Sequence, residues 1–401
     1  MRICLVSQEY PPETADGGIG YQTHAKAHGL ARKGHEVHVI SVSPDHQQHE
    51  YRDELVQVLR IPGCWHRLPI CSPAVEWLTY SVEVAAAVAR LHSRSPLDLL
   101  EFPEYGAEGY IHLLNRTEWN LIPTVIHLHG PLVMFAHTMR WPDTHSEFYR
   151  LGTMMEGSCL RLADAIYSSS ACSAEWCARH YGIARERIPV LHVGVNPQLF
   201  APHPVPKETR PTVIFVGRID PNKGVDLLVD AACTLAAKYP DLLLRLLGRG
   251  DAAVIDGLRS KAVSAGLPEL LDFPGYVSRQ ELPQELCKAH VFAAPSVYEG
   301  GPGFVYLEAM ACGLPVIGCE GSGVSEVVTH GKDGLLVPPR DREALIEGLD
   351  RLLSDSARRA EMGACARSRV LTEAASEACL DRIEGFYNAV ASRGRVQAEV
   401  A

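Results

Sequence analysis

The stretch Phe215-Val216-Gly217-Arg218-Ile219-Asp220-Pro221-Asn222-Lys223-Gly224 decides the fold, because it joins a strand to a helix through a turn rich in glycine and charge. The β-branched run 212–216 leads into it, and a helical period of apolar residues follows Gly224. Strand-turn-helix units build parallel sheets, which bind ligands outside the carboxyl ends of their strands. This turn therefore predicts both an α/β fold and the place of a ligand site.

The same alternation of short apolar strands and longer helical segments extends in both directions and occurs twice. The predicted strands are 3–7, 36–41, 97–102, 124–129 and 165–169 in the first series, and 212–216, 242–247, 291–294, 315–318 and 335–337 in the second. A proline-rich linker, 197–211, separates the two series.

A chain of 401 residues is also longer than one hydrophobic core usually serves. We therefore predict two Rossmann-like doubly wound domains, 1–196 and 197–375, facing each other across a cleft. The segment 376–401 is expected to be a helix that packs back on the first domain and then frays.

The composition excludes several classes of protein. A formal charge of -10 argues against a nucleic-acid binder, which usually carries positive charge on its binding face. No run approaches the roughly 20 apolar residues of a membrane helix, and Met1 leads directly into the first strand without a signal peptide. None of the 12 cysteines has the paired spacing of a zinc or redox motif. We expect a soluble, cytoplasmic protein.

Two cations in the opening stretch are the first candidates for chemistry. Arg218 offers a planar fork of donors and Lys223 a mobile point charge, and Gly217 lets the backbone approach a ligand. Such a pair suits a diphosphate leaving group, whose negative charge grows as its bond to a sugar breaks. The alternative is a solvated basic turn without a ligand.

A second candidate is the strand, loop and helix from Pro295 to Gly313, which carries the carboxylates of Glu299 and Glu308. Carboxylates accept hydrogen bonds from the vicinal hydroxyls of a sugar or ribose. Backbone amides at Gly303, Phe304 and Val305, where the helix is expected to begin, could bind phosphate. Glu308 alone could instead be a helix-dipole partner.

Near the amino terminus, Gly17 and Gly18 follow the first strand and precede a helix. Glycines at this position permit an anion at the helix N-terminus, or serve only close packing of strand and helix. The spacing is not the Gly-x-Gly-x-x-Gly dinucleotide fingerprint.

Taken together, these motifs resemble glycosyltransferase family 4, a family of mostly retaining enzymes with the two-domain GT-B fold, and the resemblance covers nearly the whole chain. The segment Gly217 to Gly224 is similar to the family's Gly-Arg-x-x-x-x-Lys-Gly element. The resemblance implies that Arg218 and Lys223 bind the donor diphosphate, that Glu299 contacts the donor sugar and that Glu308 contacts the ribose. The interval between the two glutamates is one residue longer than the family's usual seven, so a bulged loop would have to aim Glu299.

Other family positions follow from the same resemblance. His129, at the end of 124–129, maps onto the histidine near the donor sugar, and His127 is expected to be structural. The pair Gly17-Gly18 fits the amino-terminal glycine loop, and Gly248 lies in a segment like the second glycine turn. The nucleobase contacts would fall on Tyr276 and Val277. A metal at the His-x-His pair is the alternative, but the sequence offers no obvious third ligand.

The expected activity is retaining transfer of a hexosyl group from a nucleotide diphosphate sugar to a hydroxyl. A UDP-sugar such as UDP-glucose or UDP-GlcNAc is favoured as donor, with GDP-mannose or an ADP-sugar next. No Asp-x-Asp occurs, so we expect no metal and no cofactor. The first domain is expected to bind a polyhydroxyl acceptor, soluble rather than lipid, through residues that could also be ordinary polar loops: Glu9, Tyr10, Glu101, Glu104, Tyr105 and Trp141. The alternatives are a GT-B phosphorylase, a nucleotide-sugar epimerase or a non-catalytic sugar-nucleotide sensor.

Overall fold

The computed structural model describes residues 1–14, 18–63, 72–117 and 120–400, with 394–400 as backbone only. It divides into two compact units: Met1–Val193 with Glu377–Ala401, and Gly194–Ser376. The sequence placed the corresponding boundaries after residues 196 and 375. Each unit has its own sheet and its own hydrophobic core.

Both units alternate strands and helices. The strands are β1 Arg2–Val6, β2 Glu36–Val42, β3 His49–Asp53, β4 Val56–Ile61, β5 Leu99–Pro103, β6 Thr124–Leu128, β7 Ala165–Ser168, β8 Thr212–Val216, β9 Leu243–Leu247, β10 Leu271–Gly275, β11 Val291–Ala293, β12 Val316–Cys319 and β13 Gly334–Val337. The helices are α1 Gly18–Arg32, α2 Pro73–Arg94, α3 Tyr110–Leu114, α4 Leu132–Thr138, α5 Glu147–Leu162, α6 Ala171–Tyr181, α7 Val225–Leu235, α8 Ala252–Ser264, α9 Leu282–Lys288, α10 Phe304–Ala311, α11 Arg342–Ser354, α12 Ser356–Glu373 and α13 Ser376–Val400. Short 3-10 turns occupy Arg185–Arg187, Pro221–Lys223 and Gly323–Glu326.

The first unit has the strand order β3-β4-β2-β1-β5-β6-β7, in which only β3 is antiparallel to its neighbour. Strand β1 lies at the centre, with Ile3 opposite Val37 of β2 and Leu99 of β5. The sequence did not predict β3 or β4. Strand β3 reads His-Glu-Tyr-Arg-Asp and is exposed along most of its length, so it lacks the apolar alternation of a buried strand.

The second unit has the order β10-β9-β8-β11-β12-β13, with every pair parallel. Numbered along this unit, the order is 3-2-1-4-5-6, the arrangement of a Rossmann fold. The first unit has the same order when its edge strand β3 is left out. Strand β10 was not predicted, because it contains Pro274. In the structure its register with β9 shifts between Asp272 and Gly275.

Local signals start several helices. Ser146 and Ser170 cap α5 and α6 through their side chains, and Asp251 and Asp341 do so for α8 and α11. No helix within the described ranges combines the length and apolar character needed to cross a membrane.

Candidate functional site

In the second unit, three loops meet at the carboxyl edge of the sheet: 217–224 after β8, 247–250 after β9 and 295–303 after β11. Backbone hydrogen bonds join them, since the N–H of Gly217 donates to the Leu247 carbonyl at 3.0 Å and that of Val297 to the Asn222 carbonyl at 3.3 Å. Strands β8 and β11 are the neighbours at which the strand order reverses. Ligands of doubly wound sheets bind at this switch point, so these loops form the candidate site.

Two glycines let these loops approach backbone to backbone. Gly248 has φ 141°, and a Cβ there would lie 1.9 Å from the Gly217 carbonyl oxygen. Gly224 has φ 72°, and its Cβ would lie 2.1 Å from the Pro295 carbonyl oxygen. Any side chain at either position would push the loops apart.

Lys223 and Glu299 form an ion pair across the switch point, with 2.7 Å between Nζ and Oε1. The two residues are 76 positions apart in the sequence, and each remains partly exposed, 27% for the lysine side chain and 15% for the glutamate. Arg218 extends into solvent with 61% of its side chain exposed, and its Nε lies 3.5 Å from Asp220 Oδ2. The structure thus places one predicted carboxylate, Glu299, beside one of the two predicted cations, Lys223.

Glu308 lies in the second turn of α10, a helix that starts after Gly303, whose φ is 69°. Its side chain is buried, and Oε1 lies 2.5 Å from Nη2 of Arg279. Burial raises the pKa of Glu308, and the neighbouring guanidinium opposes that rise. No sequence motif pointed to Arg279, because it follows β10, a strand that was not predicted. Phe304 and Val305 form the first turn of α10 and pack against the core.

The predicted nucleobase residues follow β10. Tyr276 is 54% exposed, and the Arg249 guanidinium lies 5.0 Å from the centre of its ring. Val277 packs against the hydrophobic core of the second unit. An exposed aromatic ring beside a guanidinium offers a flat surface on which a base could stack.

In the first unit, His129 follows β6, and Glu104 holds its backbone. Both carboxylate oxygens of Glu104 accept the His129 N–H at 2.8 Å, and Oε1 also accepts the Gly130 N–H at 2.5 Å. Burial, and to a smaller extent Lys26, keeps the pKa of His129 well below its usual range, so its imidazole is neutral. Burial also raises the pKa of Glu104 to about 7. Glu104 therefore positions the His129 turn from inside the protein.

Glu101 belongs to a second buried cluster. It forms an ion pair with Lys26, whose Nζ also lies 2.9 Å from the Tyr167 hydroxyl and 3.1 Å from His127 Nδ1. The hydroxyl of Tyr387 in α13 donates to Glu101 as well. His127 completes its hydrogen bonding with Ser169 at 2.7 Å. The cluster connects three neighbouring strands to α1 and α13, so His127 and Glu101 lie in the interior.

The predicted acceptor residues differ in their exposure to solvent. Tyr10, Glu101 and Glu104 are at most 4% exposed and bind other protein groups, which does not fit a direct contact with an acceptor. Their position near strand ends suggested an open surface, but these three side chains are buried. Trp141 is 49% exposed.

The remaining predicted residues of the first unit are Glu9, Tyr105 and the pair Gly17-Gly18. The Glu9 carboxylate accepts the Gly20 N–H of α1 at 3.2 Å. The Tyr105 ring packs edge-on against Trp77 and Phe135. Gly18 is the first residue of α1, and Gly17 lies outside the described residues.

Comparison with protein families gives two matches that together span most of the chain. Residues 16–199 match Glycosyltransferase Family 4, and residues 199–369 match Glycosyl transferases group 1. The chain is 30% identical over 419 residues to the D-inositol 3-phosphate glycosyltransferase of Pseudarthrobacter chlorophenolicus, covering 97% of this chain and 96% of that protein. It is 34% identical over 192 residues to a GDP-mannose-dependent alpha-(1-6)-phosphatidylinositol monomannoside mannosyltransferase of Mycolicibacterium smegmatis, covering 44% of this chain and 50% of the relative.

Solved structures share the fold over the whole length. Sucrose-phosphate synthase from Thermosynechococcus elongatus superposes with a TM-score of 0.84 at 23% identity, covering 98% of this chain and 99% of that one. The HepE protein of Anabaena, solved in complex with UDP and glucose, gives a TM-score of 0.74 at 19% identity, covering 97% and 100%. The two parallel sheets, the motifs at their edges and the full-length relative agree, and the chain therefore belongs to glycosyltransferase family 4, with the GT-B fold.

Proposed function

We propose that this glycosyltransferase moves a hexosyl group from a UDP-sugar to a hydroxyl of a polyhydroxyl acceptor, with retention of anomeric configuration and without a metal or cofactor. The observation that carries the proposal is the Lys223–Glu299 pair at the switch point of the second sheet. A cation and a carboxylate side by side match the two ends of a sugar diphosphate, one end charged and the other rich in hydroxyls.

The diphosphate is assigned to Arg218 and Lys223. Arg218 is largely exposed and can turn toward a ligand, and Lys223 can exchange its contact with Glu299 for a phosphate oxygen. Glu299 would then accept hydrogen bonds from hydroxyls of the sugar. Backbone amides at the start of α10, at Gly303, Phe304 and Val305, add partial positive charge.

The nucleoside is assigned to Glu308 and Tyr276. The Glu308 carboxylate would accept the ribose hydroxyls, which requires Arg279 to share or release it. The ring of Tyr276, with Val277 beside it, would contact the base. The relative from Mycolicibacterium smegmatis is named as GDP-mannose-dependent, which makes GDP-mannose the second choice of donor.

In the proposed transfer, the bond between the anomeric carbon and the diphosphate oxygen breaks first, and positive charge develops on the sugar ring. The acceptor oxygen then bonds to the same face, and its proton passes to the departing phosphate oxygen. This route needs no enzyme nucleophile, so the protein contributes orientation and stabilisation of charge. The family resemblance assigns the neutral imidazole of His129 to the donor sugar.

A thermal-shift series with UDP, GDP, ADP and their sugars tests the donor, because a ligand that binds only the folded state raises the melting temperature. We expect the largest rise with UDP-sugars, and a much smaller rise in the Lys223→Met variant. A larger rise with a guanine or adenine nucleotide would replace UDP in the proposal. Transfer rates in the presence and absence of EDTA, at a temperature at which the chelated protein remains folded, test whether the transfer step needs a metal.

The stereochemistry requires a separate measurement on early product. With an α-linked donor, the proton NMR spectrum is expected to show an α-linked product. A β-linked product would exclude retention. Donor turnover that depends on phosphate, or that needs no acceptor, would favour a phosphorylase or an epimerase.

A further inference from the structure

Apart from the donor motifs, the first unit brings two imidazoles and a carboxylate together. His24 and His28 lie one turn apart on α1, and Asp53 ends strand β3. One potential ligand atom from each lies within 4.8 Å of the other two. Among the predicted donor residues, His129 and the pair Gly17-Gly18 lie in the first unit and the others in the second, and none of them is a member of this cluster.

The distances within the cluster fit a tetrahedral metal site. Nε2 of His24 lies 3.6 Å from Asp53 Oδ2, and Nε2 of His28 lies 3.0 Å from the same oxygen. With zinc–ligand bonds of about 2.0–2.1 Å, ligand atoms at the corners of a tetrahedron are about 3.3 Å apart. The two rings have centroids 4.1 Å apart and are inclined by 32°, so small side-chain rotations bring both nitrogens to one point.

Neighbouring groups orient the three side chains. The Glu54 carboxylate lies 3.4 Å from His28 Nδ1, and an acceptor on that ring nitrogen leaves the lone pair on Nε2. Nε2 contacts Asp53 Oδ2 at 3.0 Å and the Tyr10 hydroxyl at 3.3 Å, and a bound ion would replace these two contacts. The buried hydroxyl of Tyr10 donates to Asp53 Oδ2 at 2.8 Å, and its ring centroid lies 5.5 Å from that of His24. Metal-binding histidines and carboxylates commonly have such supporting contacts.

Exposure across the cluster is graded. The His28 side chain is 6% exposed, whereas His24 and Asp53 are 38% and 30% exposed. An ion can therefore enter from solvent and keep a water as its fourth ligand. We propose that His24, His28 and Asp53 bind one Zn²⁺, which links α1 to the β3–β4 hairpin within the first unit. Two imidazoles and one carboxylate are ligands that suit zinc.

The test uses the full chain, stripped with a chelator and then titrated with Zn²⁺ against a chromophoric competitor. We expect one tight equivalent per chain and a higher melting temperature with Zn²⁺ than without it. Co²⁺ in place of Zn²⁺ is expected to give the visible absorption of a four-coordinate ion. Each of these readouts is independent of sugar transfer.

Variants locate the ion. His24→Ala removes a partly exposed ligand and should weaken Zn²⁺ binding by at least about 100-fold with an unchanged circular dichroism spectrum, and Glu54→Gln should weaken it by about 10-fold. His49→Ala is the matched control, because His49 is exposed and pairs with Asp45 at 2.8 Å outside the cluster. Asp53→Asn provides a second test of the site. Wild-type Zn²⁺ affinity in both His24→Ala and Asp53→Asn would overturn the proposal and leave a hydrogen-bonded cluster only.

Discussion

Two lysine–glutamate pairs, one in each unit, differ in environment. Lys26 and Glu101 in the first unit have side chains 1% and 5% exposed, whereas Lys223 and Glu299 in the second unit are 27% and 15% exposed. The first pair is surrounded by His127, two tyrosine hydroxyls and packed strands. The second pair lies in loops at the end of its sheet, and both of its side chains are partly exposed.

The difference shows how burial decides what the same two side chains can do. Burial lowers the pKa of Lys26, and the neighbouring Glu101 opposes that effect by favouring the charged form. A buried charge that loses its partner is costly, so the first pair is bound to the structure that surrounds it. A partly exposed pair gains little from its own attraction and can exchange partners at low cost. The first pair is thus suited to holding the fold and the second to holding a ligand.

Lys26→Met should have the largest effect on stability. Removing the ammonium leaves Glu101 buried without a cation, and we expect the free energy of unfolding to fall by about 3–5 kcal/mol. Chemical denaturation would measure the loss, and hydrogen exchange would place it in β5, β6 and β7. The double variant Lys26→Met/Glu101→Gln should recover part of the stability. A loss below about 1 kcal/mol in the single variant would contradict the structural role.

Lys223→Met should have the opposite effect, a large loss of activity with little loss of stability. We expect kcat/KM to fall about 100- to 1,000-fold, as when one charge-stabilising group is removed from a transition state. The free energy of unfolding should change by no more than about 1 kcal/mol, because the pair is partly exposed. Steady-state kinetics and denaturation of one preparation give both numbers. Unchanged kinetics would remove Lys223 from the donor site.

Gly248→Ala tests whether the candidate site in the second unit depends on close backbone packing as well as on charge. The residue has φ 141°, and the added Cβ would lie 1.9 Å from the Gly217 carbonyl oxygen, so β8 and β9 must separate at their ends. We expect the second unit to lose about 2–3 kcal/mol of stability. Gly257→Ala, a position in α8 with no atom within 4 Å of the new Cβ, is the control and should not destabilise. Equal stability of the two variants would show that the loops tolerate separation.

Glu108→Gln tests a buried carboxylate that has no cationic partner among the residues that the structure describes. Its Oε1 accepts the Gln8 N–H at 2.9 Å, and burial raises its pKa to about 8 from an ordinary value of 4.5. Between these two pH values the folded state holds a proton that the unfolded chain has lost. The free energy of unfolding of the wild type should therefore fall as pH rises through this range.

The Glu108→Gln variant cannot lose that proton. It should be more stable than the wild type at pH 9, and the difference should shrink toward zero as the pH falls to 4.5. Melting temperatures of both proteins across this range provide the measurement. Glu104, with its pKa raised to about 7, leaves a residual slope in the variant. Parallel pH profiles for the two proteins would contradict the assignment to Glu108.

Strand prediction succeeded where a strand is buried on both faces. Residues 212–216 form β8 as predicted, because a β-branched apolar run has few alternatives in an α/β chain. The polar edge strand β3 and the proline-containing β10 gave no such pattern. Consequently Arg279, which follows β10 and pairs with Glu308, was missed together with its strand.

The sequence by itself determined the two doubly wound sheets, the family and the candidate cations at the β8 turn, because these depend on local periodicity and on motifs within about ten residues. Only the tertiary structure decided the environment of each carboxylate. Glu101 pairs with a lysine 75 positions away and Glu299 with one 76 positions away, yet the first pair is buried and the second is not. Burial depends on elements distant in the chain, such as α13 over Glu101, and no local pattern records them.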